Sequence, residues 1–357
     1  MKKCELLIIL SILLFNFNIF GQNKLSKPEN NFEYLWDLFD ENYASFEEKN
    51  IDWNLTYKTY RNKVTSKTTD LELFNIFKNM LEPLNDGHVT LKANSINAKF
   101  SARKSSKILG ELKSIKNKRE AMHKMTENTL DKLGFSAVKE LGPTFRGNKL
   151  FGYTNNSDIG YLRFHRCFSK YSMMNGPFLD SQLETIFKSF NNLDVLIIDV
   201  RFNIGGEDKF VNKIVGRLVD SQVLGYYKQR KKNKKSFEPL QSIYIKPRGE
   251  YKFLKKVFLL TNDKTVSAAD VLALMMQQLP NVTIVGDNTS GSFSDIYSKK
   301  LPNGWKINLS DERYFSPNMV NYEGLGVPVD VTAYTTLKDI KEKNDSVLLK
   351  VLDLIKK

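Results

Sequence analysis

The sequence predicts a mixed α/β protein, a layered α/β core behind a small helical N-terminal unit. Three observations carry this expectation. Short apolar runs at 193–199, 257–261 and 282–286 are bounded by turn residues, the mark of buried strands. A helical stretch, 266–279, stands between two of them, and strand–helix alternation implies crossovers. Ahead of the core, residues 31–80 carry apolar side chains at three- and four-residue spacing.

Length and composition narrow the classes. The 357 residues suffice for two or three domains, and 41% hydrophobic with 12% aromatic content excludes disorder. Two cysteines cannot build a disulfide scaffold, and three histidines speak against a histidine metal centre. The formal charge is +14, from lysines scattered among asparagines. The densest basic run, Lys228, Arg230, Lys231, Lys232, Lys234 and Lys235, lacks interleaved aromatics or any nucleic-acid motif. It reads as a solvated hairpin or loop, or as a contact for an acidic surface, and no nucleic-acid partner is expected.

Along the chain, Lys2 and Lys3 precede an apolar run, 6–20, followed by Gly21-Gln22. That is the order of a secretory signal over residues 1–21, so the mature protein is expected to be exported, periplasmic or extracellular. A single-pass anchor is the alternative, against which stand Ser11, Asn16, Asn18 and a length short for a span. Without the leader Cys167 is the sole cysteine. Residues 22–93 read as a helical unit. Phe32, Leu35, Trp36, Phe39 and Tyr43 form one stripe; Asp52 can cap a second helix and Asp70 a third, with Leu73, Phe74, Phe77 and Met80 inward. Asn85-Asp86-Gly87 then breaks the helix and a strand begins near Val89. Residues 94–155 look like a basic connection with one helix near 113–133. From 156 to the end runs the core, including a strand at 159–164 and a closing amphipathic helix with Val347, Leu348, Val351, Leu352 and Ile355.

Three strand ends carry chemistry. Asp199-Val200-Arg201-Phe202-Asn203-Ile204-Gly205-Gly206 puts two glycines after a buried strand, where amides can point at a ligand or merely make a tight turn. Asp199 and Arg201 can pair to fix that turn. Ser267 falls where a helix starts, in the positive field of its N-terminus; with Asp270 three residues on it is equally an N-cap. His88, after a glycine turn, can project into a cleft as a base or be structural. His123 and His165 lack such a setting.

Together these segments resemble the tail-specific (C-terminal processing) serine peptidases and the tricorn core. The turn at 199–206 resembles D-[LV]-R-x-N-x-G-G. Thr265-Val266-Ser267-Ala268-Ala269-Asp270 resembles T-x-S-A-[AS]-E, with Asp for Glu. Gly286-Asp287-Asn288-Thr289-Ser290-Gly291 looks like G-x-x-T-x-G, and 322–330 looks like E-G-x-G-V-x-P-D with the proline displaced by one. The resemblance implies a ClpP/crotonase-like core and Ser267 as nucleophile. The Ser–Lys branch would need a lysine where Ser292 stands. His88 and Glu323 match the base and supporting glutamate of the tricorn-like branch, though Gly87 replaces that branch's relay serine, so Glu323 would reach His88 directly or through water, or Asp86 would help. Amides near Gly205, Gly206 and Ala268 would hold the oxyanion.

The implied activity is hydrolysis of peptides or unfolded protein tails, with no metal or organic cofactor. The rival is a catalytically inactive binding module of the same fold for apolar ligands or peptides, as in retinoid-binding relatives. No PDZ domain is evident, so the cleft itself would choose the substrate, with the basic 228–235 run anchoring a peptide carboxylate. The sequence assigns no oligomeric state.

Overall fold

The computed structural model describes residues 26–145, 147–168 and 177–356; the leader read at 1–21 lies outside them. At its centre is a seven-stranded sheet in the order Val331–Thr332, Val282–Gly286, Lys256–Thr261, Val195–Asp199, Ile159–Phe164, Asn148–Asn155, Lys139–Phe145. The first five strands are parallel, and the last two form an antiparallel hairpin at the edge. Strand Val195–Asp199 is buried along its whole length because helices cover both faces of the sheet. Leu196 and Ile198 point to one side, with Leu183, Phe210, Ile214 and Leu272. Val195 and Ile197 point to the other, with Leu130, Val347, Leu348 and Val351. The closing helix, Ser346–Ile355, thus seals the second face.

The apolar stripe of the first helix, Lys27–Asn42, is buried as its spacing requires, with Phe32, Leu35 and Phe39 at 0% exposure. Asp52 caps Trp53–Tyr60 by accepting from the Leu55 amide. The third helix, Asp70–Leu81, is capped by Thr69 rather than Asp70, because Thr69 and Glu72 close a reciprocal capping box. These helices do not form a core by themselves. They pack on a four-stranded antiparallel sheet, Ile296–Lys300, Lys306–Ser310, Thr90–Ala93, Ala98–Ser101. Trp305, from far downstream, is wedged edge-on against Phe74 and Phe77.

Two sequence readings change here. The region read as a basic connection with one helix near 113–133 holds that helix as Lys118–Lys132, and adds a short helix, Lys107–Glu111, and the edge hairpin 139–155. Gly142 and Pro143 sit at a register shift in its outer strand, which erases the alternation that marks a strand. The basic run is the end of strand Val223–Asn233 and its turn, and four of its six cations are held inside the molecule. Arg230 pairs with Asp311 and Glu312, Lys228 with Glu312, and Lys234 with Asp40 at 2.9 Å. Lys231 donates to the Tyr43 carbonyl. Those four cations strap the N-terminal helices to the core and are not free for a peptide carboxylate. No described helix is long and apolar enough to cross a membrane.

Candidate active site

The loop leaving strand Lys256–Thr261 is stitched to the turn leaving strand Val195–Asp199. Asn262 Oδ1 accepts from the Lys264 and Phe202 amides, Thr265 Oγ1 donates to the Val200 carbonyl, and the Val266 amide donates to the Asn203 carbonyl. Both connections leave the carboxyl ends of adjacent parallel strands, where α/β sheets gather ligands. Ser267 follows as the N-cap of helix Ala268–Met276, half-buried, with φ +64° and ψ −127°. A left-handed φ on a side chain other than glycine costs energy and is held by its surroundings. Here the holder is Asp270, whose Oδ2 accepts from the Ser267 amide at 2.6 Å. The same carboxylate accepts from the Gly291 and Ser292 amides. Burial pushes its pKa up to about 6 against those bonds.

The glycine turn is anchored by ion pairs. Arg201 lies between Asp199 (2.6 Å) and Asp345 (2.7 Å), all three buried. Gly205 has φ +75°, and a Cβ there would stand 2.6 Å from the Cβ of Ser267, so glycine is what lets the turn touch the nucleophile segment. A Cβ on Gly206 would lie 1.7 Å from the Cys167 carbonyl oxygen. Cys167 donates to the Gly205 carbonyl and accepts from the Glu207 amide, so the intervening Gly206 amide is left out of the ladder. The Gly205 amide is not free: it donates to Asn203 Oδ1 at 2.9 Å. Of the three donors expected from sequence, Gly206 and Ala268 remain without an acceptor among the described residues, and Gly205 is committed to its own turn.

His88 enters from the other sheet, two residues before strand Thr90–Ala93, which pairs with Lys306–Ser310. Asp86 shapes the turn, accepting from the His88 amide at 2.8 Å and from the Tyr43 hydroxyl at 3.1 Å. The imidazole is buried and its Nδ1 has no partner. Burial holds its pKa below the ordinary value, Asp86 and Asp295 oppose that, and Arg103 and Lys49 reinforce it. Glu323 Oε2 accepts from the Phe293 amide, and Oε1 faces Lys49 Nζ at 3.4 Å. Burial, then the Asp86 charge, raises the Glu323 pKa, with Lys49 opposing. Residues 291–293 are therefore gripped by Asp270 on one side and Glu323 on the other, and this links the Glu323–Lys49–Asp86–His88 cluster to Ser267. No side-chain hydrogen bond joins His88 to Ser267 or to Glu323. Sequence reading missed Lys49, which sits in a polar stretch without pattern, and took Tyr43 for a plain core residue.

The chain matches two family models, "Peptidase family S41" over residues 158–333 and "Tricorn protease C1 domain" over 26–82. A crystal structure of a candidate peptidase from Parabacteroides merdae is 27% identical with a TM-score of 0.76, covering 92% of this chain and 96% of that one. Mature CPAF is 13% identical with a TM-score of 0.64, over 91% and 96% of the two chains. The tricorn protease aligns over 92% of this chain but 36% of its own, at 16% identity and a TM-score of 0.51. Family models and solved structures together support peptidase family S41. The mixed α/β architecture is the S41 fold, and the family matches identify no PDZ domain. These matches support a serine-type peptidase, a hydrolase of peptide or protein substrates.

Two S41 motifs that looked separate in sequence lock together in space. Thr289 Oγ1 accepts from the Val327 amide, and the Gly324 amide donates to the Gly291 carbonyl. A Cβ on Gly326 would meet the Thr289 carbonyl oxygen at 2.0 Å. The glycines thus permit two loops to stack, which fixes Glu323 beside residue 293. His123 and His165 lie apart from Ser267, facing Arg163 and Arg119, and burial holds His165 down at about 4.

Proposed function

We propose that the protein is an exported serine peptidase that cleaves peptides or unfolded protein tails through an acyl-enzyme on Ser267. The observation that carries this reading is the strained Ser267 at a helix N-terminus, with the unpaired Ala268 amide next to it and the unpaired Gly206 amide in the turn whose Gly205 packs against it. In the proposed reaction His88 takes the Ser267 hydroxyl proton as the oxygen attacks the substrate carbonyl. The negative charge forming on that oxygen falls to the Gly206 and Ala268 amides and the positive end of the helix. His88 returns the proton to the leaving amine, and water then hydrolyses the ester. The neutral, buried imidazole suits a base, and its open Nδ1 is where an orienting carboxylate, Glu323 or Asp86, would engage on substrate closure. Export rests on the Lys2-Lys3 and 6–20 pattern.

The test is covalent labelling by a serine-reactive phosphonate, followed by mass spectrometry, alongside cleavage of an unstructured peptide mixture. Wild type should gain the adduct on Ser267 and cut peptides. Ser267→Ala should do neither, and His88→Ala should label far more slowly. A wild type that neither labels nor cuts would sink the peptidase reading and leave the binding module, for which the absence of a hydrogen bond from His88 to Ser267 is the one favouring observation.

A further inference from the structure

Lys49 belongs to the N-terminal helical unit, yet its side chain ends inside the candidate site. That side chain is 7% exposed, and its Nζ lies 3.4 Å from Glu323 Oε1; neither atom has a hydrogen-bond partner among the described residues. Two residues from the core aim it. Arg313 pairs with Glu47 at 3.2 Å and with Glu48 at 2.9 Å, and it donates to the Ala44 carbonyl. Asn321 closes the clasp, donating through Nδ2 to Glu48 Oε1 while its Oδ1 accepts from the Glu323 amide. One asparagine thus ties the turn that carries Lys49 to the loop that carries Glu323. A Cβ on Gly324 would stand 3.3 Å from Nζ, so the glycine after Glu323 clears space for the cation.

The charges around Glu323 are opposed. Burial, then Asp86, push its carboxyl up to about 8, and Asp270 adds to them; Lys49 and the Phe293 amide pull the other way. Tyr43, whose hydroxyl donates to Asp86, completes the cluster. The protonation of Glu323 decides which nitrogen of His88 is free. A carboxylate accepts from Nδ1–H and leaves Nε2 with the lone pair that takes the Ser267 proton. A carboxylic acid instead donates to Nδ1, and the proton left on Nε2 blocks the base. Resting on the peptidase reading above, we infer that Lys49 is a positioning residue: its cation brings Glu323 to the ionised form that orients His88, and so sets the pH at which the site reaches full rate. Two ionisations then shape the rate, that of His88 in the acid range and that of Glu323 above it.

The experiment follows Glu323 and the rate together from about pH 5 to 10. The full chain is made with glutamate carrying 13C at Cδ, and the Glu323 resonance is identified by its loss in Glu323→Gln. In wild type, kcat for an unstructured fluorogenic peptide should step up on the order of 100-fold as that resonance titrates. In Lys49→Met both curves should move to higher pH by about one unit or more, a tenfold drop in the ionisation constant, while Lys49→Arg should keep both near wild type. Asn321→Ala keeps both charges and loosens the clasp; it should shift both curves the same way by less, and it carries the test if Lys49→Met does not fold. If the Glu323 resonance titrates alike in wild type and in the folded variants, Lys49 does not govern Glu323 and the inference is wrong, whatever the activity. If the resonance moves but the rate does not follow, or kcat drops by one factor at every pH, the pair is structural and the inference fails while the peptidase reading stands. A wild type that neither cuts peptides nor labels at Ser267 would sink the peptidase reading, and the role given to Lys49 would fall with it.

Discussion

At the level of single residues, the site sets one buried imidazole among opposed charges. Asp86 and Asp295 favour the His88 imidazolium, Arg103 and Lys49 disfavour it, and burial outweighs them all. A base with a lowered pKa stays neutral at lower pH, so the acid limb of kcat/KM should fall below pH 6.5. Two exposed neighbours allow the assignment to be checked in opposite directions. Asp295→Asn removes a carboxylate that raises His88, so the limb should move to lower pH. Arg103→Gln removes a cation that lowers it, so the limb should move up. Neither residue figures in the environment that raises Glu323. A limb that ignores both substitutions would mean that His88 is not the titrating base. The segments that carry Ser267, His88 and Glu323 stood out in the sequence through motif resemblance. Their supporting charges did not, because Lys49 acts through a contact with a residue at the far end of the chain.

At the level of elements, the sequence announced those whose burial is periodic. The first helix has its stripe, strand Val195–Asp199 its continuous apolar run, and the closing helix its spacing. Strands 296–300 and 306–310 went unread because one face is wet and lysine-rich. The edge hairpin was lost to its register shift. The commitment of the Gly205 amide was hidden for a related reason: a Gly-Gly pair does not reveal which amide its own turn consumes. Asn203 Oδ1 takes Gly205, and this gives that glycine a steric role instead. Gly205→Ala would bring a methyl into the 2.6 Å gap to Ser267 and impose a left-handed φ on alanine. Overpacking of this kind costs about 1–3 kcal/mol. Displacement of the nucleophile by a fraction of an ångström should lower kcat about 100-fold. The variant should keep a folded circular dichroism spectrum, a Tm reduced by several degrees, and slow phosphonate labelling. Normal labelling in a folded Gly205→Ala would show that the turn does not position Ser267.

For the whole molecule, what joins the halves of the site is strand pairing between distant segments, Thr90 opposite Asn308, with Trp305 in the N-terminal helices. No local pattern could announce that. Such interleaving makes acid stability a property of the entire chain, and its direction follows from the buried titrating groups. His88, His123 and His165 are all held below 6.5, His165 at about 4. The unfolded chain therefore takes up protons below pH 6.5 that the fold refuses, and stability drains as pH falls. Asp208, Asp270 and Asp311 are pushed up to about 6, and Glu323 is also raised. The contribution of these carboxyls is complete below about 4; it is lost as pH rises through about 6 for the three aspartates and through about 8 for Glu323, so they strengthen the fold as pH falls. Near pH 5 the two sets oppose each other, each proton being about 1.4 kcal/mol per pH unit. Thermal unfolding should therefore give a Tm that falls less from pH 6.5 to about 4.5 than the histidines alone would dictate. Below about 4, Asp345, held low by Arg201, gains its proton, and the ion pairs that anchor the glycine turn fail together with the Tm. Replacing His123 and His165 by Gln removes two of the three opposing protons without touching Ser267. The Tm of that variant should rise between pH 6.5 and 4.5, whatever its absolute value. A profile parallel to wild type would show that these histidines are not held neutral by the fold.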